Sequence, residues 1–219
     1  MISLYNTYSL SFFHYNESVT SRNGFKTRMA EEGSKLKVKI GKAELEVGGP
    51  YLQELRDSND LLGDWKALQQ RMATDGYLLI RGLHDRDKVL QARGEMLRLL
   101  SETGRLAPDT PLEEGRIGPD NKGALFNGIE PPMPKLLEVV NSNHVMQFFN
   151  HFLGGPSLTY DYKWVRAVGH QHFTGAHYDI VYMGRGTRNL YTMWTPLGDI
   201  SLEMGGLAVL LGSQHLEKV

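Results

Sequence analysis

Residues 175–215 read GAHYDIVYMGRGTRNLYTMWTPLGDISLEMGGLAVLLGSQH. Runs rich in Ile, Val, Tyr, Trp and Leu (176–183, 189–197 and 206–212) are separated by Gly, Asn and Asp. That is the texture of strands and turns. It begins at residue 157 with SLTYDYKWVRAV. Within it His177 and Asp179 stand two apart, so on a strand they point to one face with Tyr178 turned away.

Upstream the texture changes. KLKVKIGKAELEV (35–47) alternates, with Leu36, Val38 and Ile40 on one face, and turns at Gly41-Lys42, which predicts a hairpin. LLGDWKALQQRMATDG (61–76) predicts a helix with Asp64 as its N-cap and Gly76 ending it. GYLLIRGL (76–83) is a compact apolar strand. In DRDKVLQARGEMLRLLSETG (85–104), Val89, Ala92, Met96, Leu99 and Leu100 share a helical face, with Asp85 or Asp87 at the start and Gly104 at the end. Residues 107–134 break the periodicity, and a loop that long commonly covers an active site. Helical signal returns over 134–142 and 143–155, where Gly154-Gly155-Pro156 is a hard stop. Helices followed by a run of strands predict an α+β fold with an antiparallel sheet.

The whole chain bounds what this can be. It has 219 residues, enough for a substantial core, with 41% hydrophobic and 22% charged residues. A formal net charge of -1 gives no reason to expect nucleic acid or an anionic membrane as a partner. No apolar run reaches the length of a membrane span, so the cytoplasm is the default compartment. Nothing in the sequence specifies an oligomeric state. Cysteine is absent, which excludes disulfides, thiolate metal sites and Cys nucleophiles and leaves His and carboxylate as the strong metal ligands. Residues 1–28 are rich in Ser, Asn and Tyr with one acidic residue, Glu17. They read as a disordered extension, or a start upstream of one at Met29, rather than a transit peptide. The expected layout is an N-terminal extension over 1–34 and a single domain over 35–219. Within that domain a hairpin and helices occupy 35–156, and strands occupy 157–219.

Four of the eight histidines (His170, His172, His177 and His215) fall in the strand-rich region. Neutral imidazole with carboxylate is the donor set that holds non-haem Fe(II). A second His from a distant strand would complete one face of an octahedron and leave the other open. Alone, His-x-Asp reads first as a structural His beside a surface Asp. A second arrangement, His170-x-His172 with His177, is cupin-like, although the usual Glu is not at the expected spacing.

The order of motifs AHYD (176–179), YTMWTPLGDIS (191–201), MGGLAVL (204–210) and LGSQH (211–215) resembles the phytanoyl-CoA dioxygenase family of Fe(II)/2-oxoglutarate oxygenases. The strand and helix from residue 76 are similar to that family's lead-in, and the resemblance runs from about Asp64 to the C-terminus. It implies N-terminal helices packed on a partial double-stranded β-helix, the jelly roll, with the first half of that barrel over 157–219. It implies Fe(II) and 2-oxoglutarate as cofactors, dioxygen and a small-molecule substrate as partners, and hydroxylation of a C–H bond as 2-oxoglutarate is converted to succinate and carbon dioxide. His177 and Asp179 match the first two iron ligands. Trp194 matches a tryptophan lining the 2-oxoglutarate pocket, with core packing as its other reading. Lys163 and Arg166 fall where family members contact cosubstrate or substrate, the other reading being a solvated strand face. Residues 107–134 would contribute to substrate choice, and Tyr182 and Tyr191 sit where alternate strand positions reach a barrel interior.

The departures are specific. The family's second iron histidine and its 2-oxoglutarate arginine lie beyond the position where this chain ends, Val219. His215 would be a substitute third ligand, but it sits in the turn motif, where Leu211 and Gln214 replace the usual Pro and His. A non-catalytic fragment or degenerate paralogue is therefore the alternative to an enzyme.

Overall fold

The computed structural model describes residues 2–6, 11–14, 36–40, 43–126, 130–169, 172, 174–187, 189–201 and 204–216. Among them helices alternate with small antiparallel sheets.

Helix α1 (Trp65–Asp75) starts where Asp64 accepts a hydrogen bond from the Ala67 amide at 3.0 Å. It ends at Gly76, whose φ of 78° suits a residue without Cβ. One residue later the chain enters the strand Tyr77–Ile80, every residue of which is buried. Leu78 and Ile80 of that strand pack with Leu68 and Met72 of α1, and with Val145, Phe148 and Phe152 from a later helix, Asn143–Leu153. The later helix is capped by Ser142 at the Val145 amide, 3.3 Å away, and halted at Gly154.

Helix α2 (Arg86–Glu102) is capped by Asp85, which accepts from the Asp87 and Lys88 amides at 2.9 and 3.2 Å. Its Ala92, Met96, Leu97 and Leu100 form a second cluster with Met133, with Leu136 and Val139 of helix α3 (Pro134–Val140), and with Val165. Glu95 ties the two helices by accepting from the Lys135 and Leu136 amides at 3.2 and 3.0 Å. The helix over Asn143–Leu153 is then α4.

Two of the strands lie where an extension was expected. β1 (Ile2–Asn6) pairs on one side with β5 (Tyr77–Ile80) and on the other with β9 (Tyr191–Trp194). β2 (Ser11–His14) lies between β8 (Thr174–His177) and β10 (Gly206–Val209). The reason is backbone hydrogen bonding. β8 and β10, like β5 and β9, carry edge donors and acceptors that a short extended segment satisfies, and the pairing needs no hydrophobic period in the added strand. The rest of 1–34 lies outside the described residues. β3 (Lys37–Ile40) and β4 (Ala43–Glu46) form the expected hairpin, with Ile40 opposite Ala43.

The stretch expected as one long loop, 107–134, contains a short 3-10 turn at Leu112–Glu114 and a strand, β6 (Gly123–Phe126). β6 pairs antiparallel with β7 (Val165–Val168), setting Leu125 opposite Arg166. The segment expected as one strand over 176–183 also divides. β8 stops at His177, and Ile180–Met183 forms the helical turn α5. No helix among the described residues is long and apolar enough to cross a membrane.

Candidate active site

The break between β8 and α5 shapes the site. Asp179 has helical backbone angles, φ -65° and ψ -29°, so it is the first step of α5 rather than a strand residue. The expectation that strand alternation aligns His177 and Asp179 is therefore corrected: a strand-to-helix turn brings them together. His177 Nε2 lies 3.2 Å from Asp179 Oδ1. The carboxylate side chain is 2% exposed and the imidazole 13%, so the pair is withdrawn from bulk water.

His177 Nδ1 is 2.8 Å from the Gly175 carbonyl oxygen, which can only accept, so Nδ1 carries the proton. In the neutral imidazole, Nε2 then turns a lone pair toward the carboxylate. Two such donors facing each other attract a shared cation, either a proton on Nε2 or a metal ion between them. Two ligands each about 2.1 Å from a divalent ion and at right angles lie about 3.0 Å apart, close to the observed separation. The donor set and its spacing therefore fit two neighbouring positions of a non-haem metal. A backbone carbonyl that orients a ligating histidine is a common supporting contact.

Beside the pair is a cleft of about 440 Å³ lined by Trp164, Arg166, Thr174, Gly175, Ala176, His177 and Tyr182. Trp164 and Tyr182 of the lining belong to a run of aromatic rings that starts outside it at Tyr162. Ring centroids are 5.9 Å apart from Tyr162 to Trp164, 5.9 Å from Trp164 to Tyr182 and 6.2 Å from Tyr182 to His177, all edge-on. Arg166 donates to Thr174 Oγ1 at 2.6 Å, and its guanidinium carbon lies 6.0 Å from the Trp164 ring centre.

The other sequence candidates are distributed differently. Lys163 donates to Thr159 Oγ1 at 2.9 Å and to the Tyr160 carbonyl, and burial lowers its pKa against a smaller opposing effect of Asp161. It does not line the cleft. Trp194, partly buried, packs against Tyr77 and Leu79 and is not among the residues that line the cleft. Tyr191 packs edge-on against Phe152, its pKa raised by burial, while Tyr182 reaches the cleft. His215 is exposed in the turn Ser213–His215, whose Gln214 bonds the Thr74 carbonyl at the end of α1. Among the described residues no group of three His, Asp or Glu forms a metal cluster. His172 is partly buried in the turn before β8, and His170 lies outside the described residues. The described cleft lining comes from 164–182, and among the described residues of 107–134 the strand β6 pairs with β7. Trp164 and Thr174 were not singled out from sequence. For Trp164 the signal available was its spacing of two from Arg166; Thr174, three residues before His177, offered none.

No family model matches the chain, and no solved structure matches it. Over 169 residues it is 29% identical to 1-deoxypentalenic acid 11-beta-hydroxylase of Streptomyces exfoliatus. The chain is similar to a hydroxylase. The alignment takes in 74% of this chain and 59% of that relative, less than two thirds of its length. At the coarse level the similarity supports oxidoreductase chemistry of the hydroxylating kind.

Proposed function

We propose that this chain carries part of the active site of an Fe(II)- and 2-oxoglutarate-dependent hydroxylase acting on a small molecule, with dioxygen as co-reactant, built on a partial double-stranded β-helix. The observation that carries the reading is the convergence of His177 Nε2 and Asp179 Oδ1 at 3.2 Å beside an aromatic-walled cleft. The similarity to a hydroxylase supports the same class of reaction.

In this reading His177 and Asp179 hold the iron. When bound, the iron with 2-oxoglutarate supplies the oxidising power for inserting oxygen into a C–H bond. Everything else falls to the chain. The Gly175 carbonyl keeps the His177 proton on Nδ1, so that Nε2 is available as a ligand. Asp179, almost fully buried, brings the negative charge that a divalent ion requires and keeps that charge out of competition with water. Trp164, Arg166 and Tyr182 border the space where a substrate would lie against the His177 end of the cleft. Trp194 and Lys163 are not assigned to cosubstrate, since Trp194 packs in the core and Lys163 is held by the 159–160 segment.

The test is anaerobic titration of the purified chain with Fe(II) and 2-oxoglutarate, following the visible charge-transfer band of a chelated complex. A band in the natural chain that is lost in His177→Ala supports the reading. A folded chain that binds no Fe(II) overturns it.

A further inference from the structure

We propose that β2 is the positioning strand of the candidate pair: residues 11–14 fill a strand-accepting slot between β8 and β10, and that occupancy sets where His177 stands. This rests on the hydroxylase reading above for what His177 holds; the slot itself follows from backbone pairing.

β10 belongs to a rooted frame. Its Leu207 and Val209 pack against Tyr77 and Leu79 of β5, while Leu78 and Ile80 fix β5 in the cluster of α1 and α4. β8 joins that frame through β2, in the order β10-β2-β8. Ser11 lies opposite Val209 on one side and opposite His177 on the other, and Phe13 lies opposite Leu207 and Thr174. The backbone at Ser11 thus links the buried frame to the end of the strand that carries the imidazole.

β8 is held at both ends. At its start Thr174 accepts from Arg166 of β7 at 2.6 Å, and at its close His177 is paired opposite Ser11. Between those points β8 advances three residues while β2 advances two, so β8 carries a bulge over Gly175 and Ala176. Such a bulge re-aims the side chain beside it and needs a partner strand to hold it, which here is β2. The bulge contains Gly175, whose carbonyl lies 2.8 Å from His177 Nδ1. A ligating group must be held within about 0.5 Å of its working position, so the strand that fixes this bulge bears on the metal.

A ladder reads backbone rather than side chains, so the ligand class of the slot is an extended peptide antiparallel to both neighbours. Residues 2–6 keep that peptide at hand, because β1 is itself inserted between β5 and β9.

The experiment uses the full chain and two readouts, hydrogen exchange over residues 174–177 by mass spectrometry and cobalt(II) titration. Phe12→Pro removes an amide hydrogen from a strand paired on both sides, where proline is not tolerated. Exchange over 174–177 should speed up at least about tenfold, and cobalt(II) affinity should fall at least about tenfold, with the helical circular dichroism kept. Phe12→Gly, which loosens the strand but keeps its amide, should move both readouts the same way by less. Phe152→Ala is the comparator for lost stability alone: its urea midpoint should fall while the folded chain keeps its cobalt affinity. The natural chain has no cysteine, so Phe12→Cys with Ala208→Cys reports the pairing directly. Oxidation should cross-link them within one chain and leave cobalt affinity intact. Unchanged exchange over 174–177 in a folded Phe12→Pro chain, an equal loss of cobalt affinity in Phe152→Ala, or a cross-link joining two chains overturns the proposal. The two readings fail separately. Faster exchange in Phe12→Pro, with no cobalt binding in the natural chain, removes the metal and keeps the strand; cobalt binding that Phe12→Pro leaves untouched does the reverse.

Discussion

His177 and Asp179 meet at 3.2 Å although the first closes a strand and the second opens a helical turn. The buried carboxylate and the imidazole lone pair are thus joined by a rigid change of direction in the chain, not by side-chain reach. On the proposed reading, substitution of either should therefore act on metal binding without disturbing the sheet.

Asp179→Asn keeps the shape and one oxygen donor but removes the charge. Cobalt(II) affinity should fall at least about tenfold, with circular dichroism unchanged. Unaltered affinity in a folded variant would remove Asp179 from the metal site.

Gly123→Ala tests how β6 supports the cleft. At Gly123 φ is +106°, and an added Cβ would lie 2.0 Å from the Ala167 carbonyl oxygen, next to Arg166. The strands must separate to admit it. We expect a loss of roughly 2–4 kcal/mol in urea unfolding, from strain at a position suited to Gly and from broken pairing. Gly155→Ala, where nothing lies within 4 Å, should stay within about 0.5 kcal/mol. Equal effects at the two positions would refute the argument.

His84 predicts the response to acid. Burial, assisted by His144, lowers its pKa from 6.5 to about 4, and its Nε2 sits 3.2 Å from Thr195 Oγ1. Above pH 6.5 it is neutral whether the chain is folded or unfolded. As pH falls from 6.5 to 4, the unfolded chain takes up a proton that the folded chain refuses, so stability drops through that window. The ring is partly exposed, so roughly 1–3 kcal/mol is expected after solvent screening. His84→Gln should flatten the slope of urea midpoint against pH there, and an unchanged slope would assign the acid sensitivity elsewhere.

Phe152 anchors the core under β5 and β9. It is 2% exposed, stacks on Phe148 at 6.0 Å and meets Tyr191 edge-on at 5.2 Å. Phe152→Ala should cost about 3–5 kcal/mol in chemical unfolding, through lost burial and the cavity left behind. A cost below about 1 kcal/mol would mean that α4 does not pack there.

Much was legible before the structure because it depends on neighbours in sequence. The Asp64 and Asp85 caps, the Gly76 and Gly154 stops and the β3–β4 hairpin follow from local backbone geometry, and the chain uses them as read. The His177–Asp179 pair was also legible, since two side chains two residues apart need little help to meet. The strand continuing through residue 183 was misread, because Ile, Val and Tyr favour strands while the helical angles at Asp179 start a turn that the pattern does not reveal. The sequence by itself determined helices α1 to α4, their ends and the presence of the His177–Asp179 pair. Tertiary structure alone decided that Arg166 faces Thr174, that Tyr182 rather than Trp194 borders the cleft, and that β1 and β2 enter the sheets. Those outcomes depend on pairing and packing between segments far apart in the chain, where backbone hydrogen bonds and buried area, not local propensity, set the lowest free energy.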